Sequence, residues 1–155
     1  MKEEILHKEI DLIQNVITRM ANNSFLLRGW AISLIAVVLA LSKGTSATTG
    51  HFYFTVILLL LVTILFWYLD AFFLHKEKCY RKLYEWVLEN RNQTQDYLYS
   101  LDYTRFKQDV KSVFCVMFSK ALFPFYGLVI LILIVVAIFD MGRGVDMTNM
   151  CNSLC

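Results

Sequence analysis

Three long apolar stretches, running from about Phe25 to Leu41, Phe52 to Leu74 and Ala121 to Met141, constrain this chain more than any other feature. At 1.5 Å per residue each approaches or exceeds the roughly 30 Å of hydrocarbon in a bilayer. Backbone inside hydrocarbon must satisfy its own hydrogen bonds, so unbroken apolar runs of this length are read as helices. The expected fold is all-α, with three transmembrane helices. Composition agrees, since 57% of the residues are hydrophobic and only 18% charged, far from the balance of a soluble domain.

The positive charges set an expected orientation. Lys2, Lys8, Arg19 and Arg28 lie before or at the start of the first span, and Lys76, Lys78, Arg81, Lys82, Arg91, Arg105, Lys107 and Lys111 lie between the second and third. The loop between the first two spans has only Lys43, and the tail only Arg143. The positive-inside rule then puts the N-terminus and the long middle segment in the cytosol and the C-terminus outside. The charged start, MKEEILHKEIDLIQ, lacks the apolar core and cleavage site of a signal peptide, so it is expected to be retained. A net charge of +2 is too small to argue for nucleic acid.

Outside the spans the pattern is amphipathic. Leu6, Ile10, Ile13, Ile17 and Met20 form one seam, which predicts an N-terminal cytosolic helix over residues 1–23 ended by "ANNS", with Ser24 available to cap the first span. Such a seam can pack within the chain, join a neighbouring subunit or lie on the bilayer. Residues 24–141 are expected to form the membrane domain. No Gly or Pro interrupts Phe52 to Asn90, so the second span should continue into the cytosol as one helix and end at "ENRNQTQ". A second cytosolic helix is expected to return from about Thr104, completing a hairpin over about 75–118, with Pro124 kinking the junction with the third span. Residues 142–155 form a short external tail.

Each span carries a charge near its cytosolic end: Arg28, Asp70 and Lys120. Counted along the helices, all three fall roughly 22–30 Å from the opposite boundary. A charge in hydrocarbon costs about 2.5–3.5 kcal/mol at mid-membrane, so pairing is the expected remedy. Asp70 is too short to snorkel far and is expected to pair with Arg28, with Lys120 as second choice; the two cations could instead reach the headgroups separately. Gly29, Ser33, Ala36 and Ala40 form a small-residue stripe suited to close helix packing. Thr55, Thr63 and Asp70 form a polar stripe on the second span, which reads either as a pore lining or as threonines bonded to their own helix.

No P-loop, HExxH, GxSxG or dinucleotide fingerprint is present, and a non-enzymatic protein without cofactor is expected. His75 and Cys79 are one turn apart, but two ligands do not close a zinc site, and no metal is expected. Cys151 and Cys155 would lie outside, where a disulfide can form, or remain two thiols on a loose tail.

The segments "ITRMANNSFLLRGW", "FWYLDAFFLHKEKCYRKLY" and "MFSKALFPFYG" resemble the RipA-like small octameric membrane proteins of bacteria over roughly residues 15–130. The resemblance implies a bacterial inner-membrane location and a homo-oligomeric ring, octameric by that likeness; it carries no chemistry for single residues. The expected function is that of a membrane effector or channel-like assembly in a defence or stress response, with lipid and a cytosolic protein as partners and no nucleic acid. The alternative is a non-conducting scaffold that organises the envelope or recruits cytosolic partners.

Overall fold

A computed structural model describes residues 2–44, 49–91, 93–94 and 96–152, and the side chains of 3–42, 52–91, 93–94 and 96–139. Every regular element among these is helical: α1 (Lys2–Gly44), α2 (Thr49–Asn90), a 3-10 turn at Thr104–Phe106, the short α3 (Val113–Met117) and α4 (Phe123–Asn152). The expected disulfide at Cys151 and Cys155 lies outside the described side chains.

The first correction concerns "ANNS", which does not break the chain. Helix α1 runs for 43 residues without interruption, about 65 Å. Its inner face explains why. Glu9 and Ala31, and Ile13, Ser24 and Ile35, are buried in a register that repeats every three turns, an 11-residue spacing that keeps one face on α2 without the left-handed winding of a heptad. The seam read over the first 20 residues therefore continues through the first apolar stretch. Interior Asn and Ser cost only up to about 0.7 kcal/mol each in a helix, which this continuous packing overrides.

Helix α2 does run unbroken for 42 residues, antiparallel to α1. Ile35 shares a core cluster with Leu59, Ser24 meets Asp70, Ile13 packs with Leu83 and Val87, and Glu9 meets Arg91. Helix α2 ends in the expected polar turn, where the Arg91 amide donates to the Val87 carbonyl at 3.0 Å and the Gln93 and Thr94 amides donate to the Asn90 carbonyl, covering acceptors that a helix end leaves open.

The returning limb of the hairpin is the second correction: it is not a helix from Thr104 into the third span. Asp102 Oδ1 accepts from the Thr104 amide at 2.9 Å and from its hydroxyl, which favours a tight local turn over a helix. The chain then stays irregular until Ser112, whose extended backbone caps the five-residue α3. Pro124 kinks nothing. It sits in the first turn of α4, where its missing N–H has no partner to lose.

Three apolar clusters stack along α2. Ile35, Leu59 and Leu133 form one end. Trp67, Ala71, Val116, Met117, Leu122 and Tyr126 form the middle. Ile13, Leu83 and Val87, edged by Leu6, Ile17, Tyr80, Tyr84, Trp86 and Phe106, form the head at the far end of α2.

Candidate functional site

Asp70 is fully buried at the junction of α1, α2 and α4. From α1, Ser24 donates its hydroxyl to Oδ1 and Arg28 Nε donates to Oδ2 at 2.8 Å. From α4, the Tyr126 hydroxyl donates to the same Oδ2 at 3.2 Å, in preference to the Phe66 carbonyl at 3.4 Å. Arg28 Nη2 also donates to Ser24 Oγ at 3.3 Å, and its guanidinium lies over the Phe125 ring. One carboxylate thus ties all three long helices together at one level. The charges cancel, and each carboxylate oxygen is engaged by at least one donor, which is the condition for burying an ion pair without a large penalty.

Arg28 and Asp70 are brought together as the sequence predicts, whereas Lys120 is not part of the group. It is exposed in the turn between α3 and α4, with no ion pair among the described residues. The reason is topological: residues between Met117 and Tyr126 pass around the outside of Trp67, and Tyr126 rather than Lys120 faces inward. Ser24 and Tyr126 escape the sequence reading. Ser24 is one turn before Arg28, and Tyr126 is the only hydroxyl in its part of the third apolar stretch, so both signals are visible once Asp70 is taken as a centre.

The other expected residues sort by face. Thr63 is fully buried and donates to the Leu59 carbonyl of its own helix at 2.7 Å; Thr55 is half-buried about two turns away. The stripe of Gly29, Ser33, Ala36 and Ala40 points away from α2 and is exposed. A Cβ added at Gly29 would meet nothing within 4 Å. Phe25, Leu26, Gly29, Trp30 and Ser33 line an open depression of about 320 Å³ there.

A second buried ion pair, invisible to the charge-depth argument, fixes the head. Arg91 holds Glu9 through Nε at 2.6 Å and Nη2 at 2.5 Å. Both side chains are almost wholly buried. The Tyr99 amide adds a third bond to Glu9, while Arg91 Nη1 donates to the Thr94 and Asp96 carbonyls. Tyr97 and Tyr99 have φ of 58°, a left-handed conformation that costs about 1–2 kcal/mol for such residues; the bonds from Glu9 and Arg91 hold the loop in it. The available signal was position, because Glu9 interrupts the seam between Leu6 and Ile13.

His75 and Cys79 do meet, with Nε2 and Sγ 3.8 Å apart. His75 Nδ1 faces the Lys111 carbonyl at 3.1 Å, so in the neutral ring Nδ1 carries the proton and Nε2 accepts from the thiol. No cluster of three or more metal-ligating side chains occurs among the described residues. Comparison with protein-family models, curated proteins and solved structures gave no match.

Proposed function

We propose that this is an integral protein of the bacterial inner membrane with three spans, formed by the apolar parts of α1, α2 and α4, that assembles into a homo-oligomer and acts as a membrane effector or channel-like assembly in defence or stress. Support for the membrane begins with α1 and α2, each long and apolar enough to cross one. The apolar part of α4 is shorter as described, Phe123–Phe139, but it is exposed along Leu128, Leu131, Ile132, Val135, Ile138 and Phe139. An outward surface of this kind needs lipid or protein against it. The positive-inside pattern of the sequence supports a cytosolic head and an external C-terminus.

The observation that carries the effector reading is the continuity of α1 and α2 from the head, past Asp70, into the apolar layer. A partner or signal that moves the head moves the spans with it, because two unbroken helices joined by buried ion pairs at Glu9 and Asp70 leave no hinge between them. Self-association is supported by the exposed small-residue face of α1.

A non-conducting scaffold is favoured by the polar stripe of α2: Thr63 and Asp70 are buried and bonded within the chain, so they do not line a lumen. Ion flux in liposomes separates the two. The effector reading expects flux that appears or changes when head residues such as Glu9 or Arg91 are replaced. Vesicles that stay tight with every variant, at verified protein incorporation, would overturn it in favour of the scaffold.

A further inference from the structure

From the end of α3 to the first turn of α4 the chain stays beside one side chain of α2, Trp67. Trp67 Nε1 donates to the Met117 carbonyl at 3.0 Å. The same indole packs against Phe118, Phe123 and Tyr126, stacked on the last. Met117, Phe118, Phe123 and Tyr126 therefore gather around one side chain. Part of their backbone is bonded locally, through Ser119 N to the Val116 carbonyl, Leu122 N and Phe123 N to the Ser119 carbonyl, and Tyr126 N to the Leu122 carbonyl, while Ser119 Oγ is buried with no hydrogen-bond partner among the described residues.

Its outer surface is both aromatic and basic. Val116, Met117 and Leu122 face inward, while Phe114, Phe118 and Phe123 are exposed by 67%, 65% and 52%. Lys111 and Lys120 are exposed beside them, and no acidic residue occurs between Asp109 and Asp140. Trp67, two turns inside Leu74, and Asp70 put this surface at the level of the inner headgroups and upper acyl chains, where aromatic rings and snorkelling lysines are favoured.

We infer that α3 and the turn after it form an interfacial foot, in which Phe114, Phe118 and Phe123 enter the inner leaflet and Lys111 and Lys120 hold the phosphates of anionic phospholipid. The occupant is lipid because the surface combines exposed rings with unopposed positive charge at the depth of the headgroups, a pairing that anionic lipid complements. The inference rests on the three-span reading above.

The test uses the full chain with Cys151→Ser and Cys155→Ser, a nitroxide on the exposed Cys115, and a control nitroxide on Leu61→Cys in the outward face of α2. In phosphatidylglycerol-containing bilayers the Cys115 label should collide more with oxygen than with an aqueous nickel chelate. Lys111→Gln with Lys120→Gln should lower retained phosphatidylglycerol at least threefold in native mass spectra. An aqueous Cys115 label beside a lipid-exposed control, or unchanged lipid retention in the double variant, would overturn the foot. If the control label is aqueous too, the membrane-spanning reading itself fails.

Discussion

At Asp70 the cost of removing a partner depends on what is left behind. Arg28→Leu leaves a buried carboxylate without its cation and should destabilise the fold by about 3–5 kcal/mol. Tyr126→Phe removes one of two bonds to Oδ2 and keeps the ring stacked on Trp67, so its cost should be about 1.5–3 kcal/mol. Equilibrium unfolding in mixed micelles should rank the two in that order, and equal losses would mean that the charge is compensated by water rather than by Arg28. Cys79, in the head-side extension of α2, offers a pH-dependent check. Burial raises its thiol pKa above the ordinary 9.0, with Lys107 pulling weakly the other way. The folded thiol should therefore react with N-ethylmaleimide more slowly than the denatured chain at pH 8, and the gap should narrow as pH climbs above 9. Because the unfolded chain loses this proton first, the stabilising contribution is fully present below pH 9 and is lost as pH rises through the folded value.

Among the elements, the loop after α2 depends on α1 through a single carboxylate. Glu9→Ala would strand Arg91 in a buried site and release the Tyr99 amide, freeing Tyr97 and Tyr99 from their left-handed backbone. Chymotryptic cleavage at these tyrosines should accelerate at least tenfold, while Leu88→Ala, an exposed apolar change nearby, should leave the rate unchanged. The element pattern also explains what was legible in advance. The apolar runs and the absence of Gly or Pro made α2 readable end to end, and the depth of Asp70 and Arg28 made their meeting readable from counting alone. The continuity of α1 was hidden because Asn22, Asn23 and Ser24 look like a cap in local terms, and only the long register of the inner face keeps them helical. The pairing of Glu9 was hidden because its partner lies some eighty residues away in the head, a distance that no local periodicity reports. The gathering of residues around Trp67 was invisible for the same reason, since it depends on what α2 presents at that height, whereas the turn at Asp102 is local and rests on the bonds from Thr104 two residues on.

At the scale of the whole molecule, the small-residue face of α1 is turned outward among the described elements. Inside the chain α1 uses Ser24, Ala31 and Ile35 against its neighbours, so Gly29, Ser33, Ala36 and Ala40 contribute nothing to the fold that larger residues would spoil. This separation allows assembly to be tested without disturbing the protomer. Gly29→Leu meets open space within the chain and removes a helix-interior glycine, worth up to about 1 kcal/mol in favour of the helix. Its protomer should thus unfold no more readily than the parent. Across a close helix contact, however, the added side chain would hold two backbones apart and abolish the packing that small residues permit. If α1 is the seam between copies, Gly29→Leu combined with Ala36→Leu should shift the mass of the detergent-solubilised particle from oligomer to monomer with protomer stability retained. Unchanged mass with both substitutions would move the seam to another face, most directly to the exposed apolar side of α4, whose larger side chains permit only a wider approach.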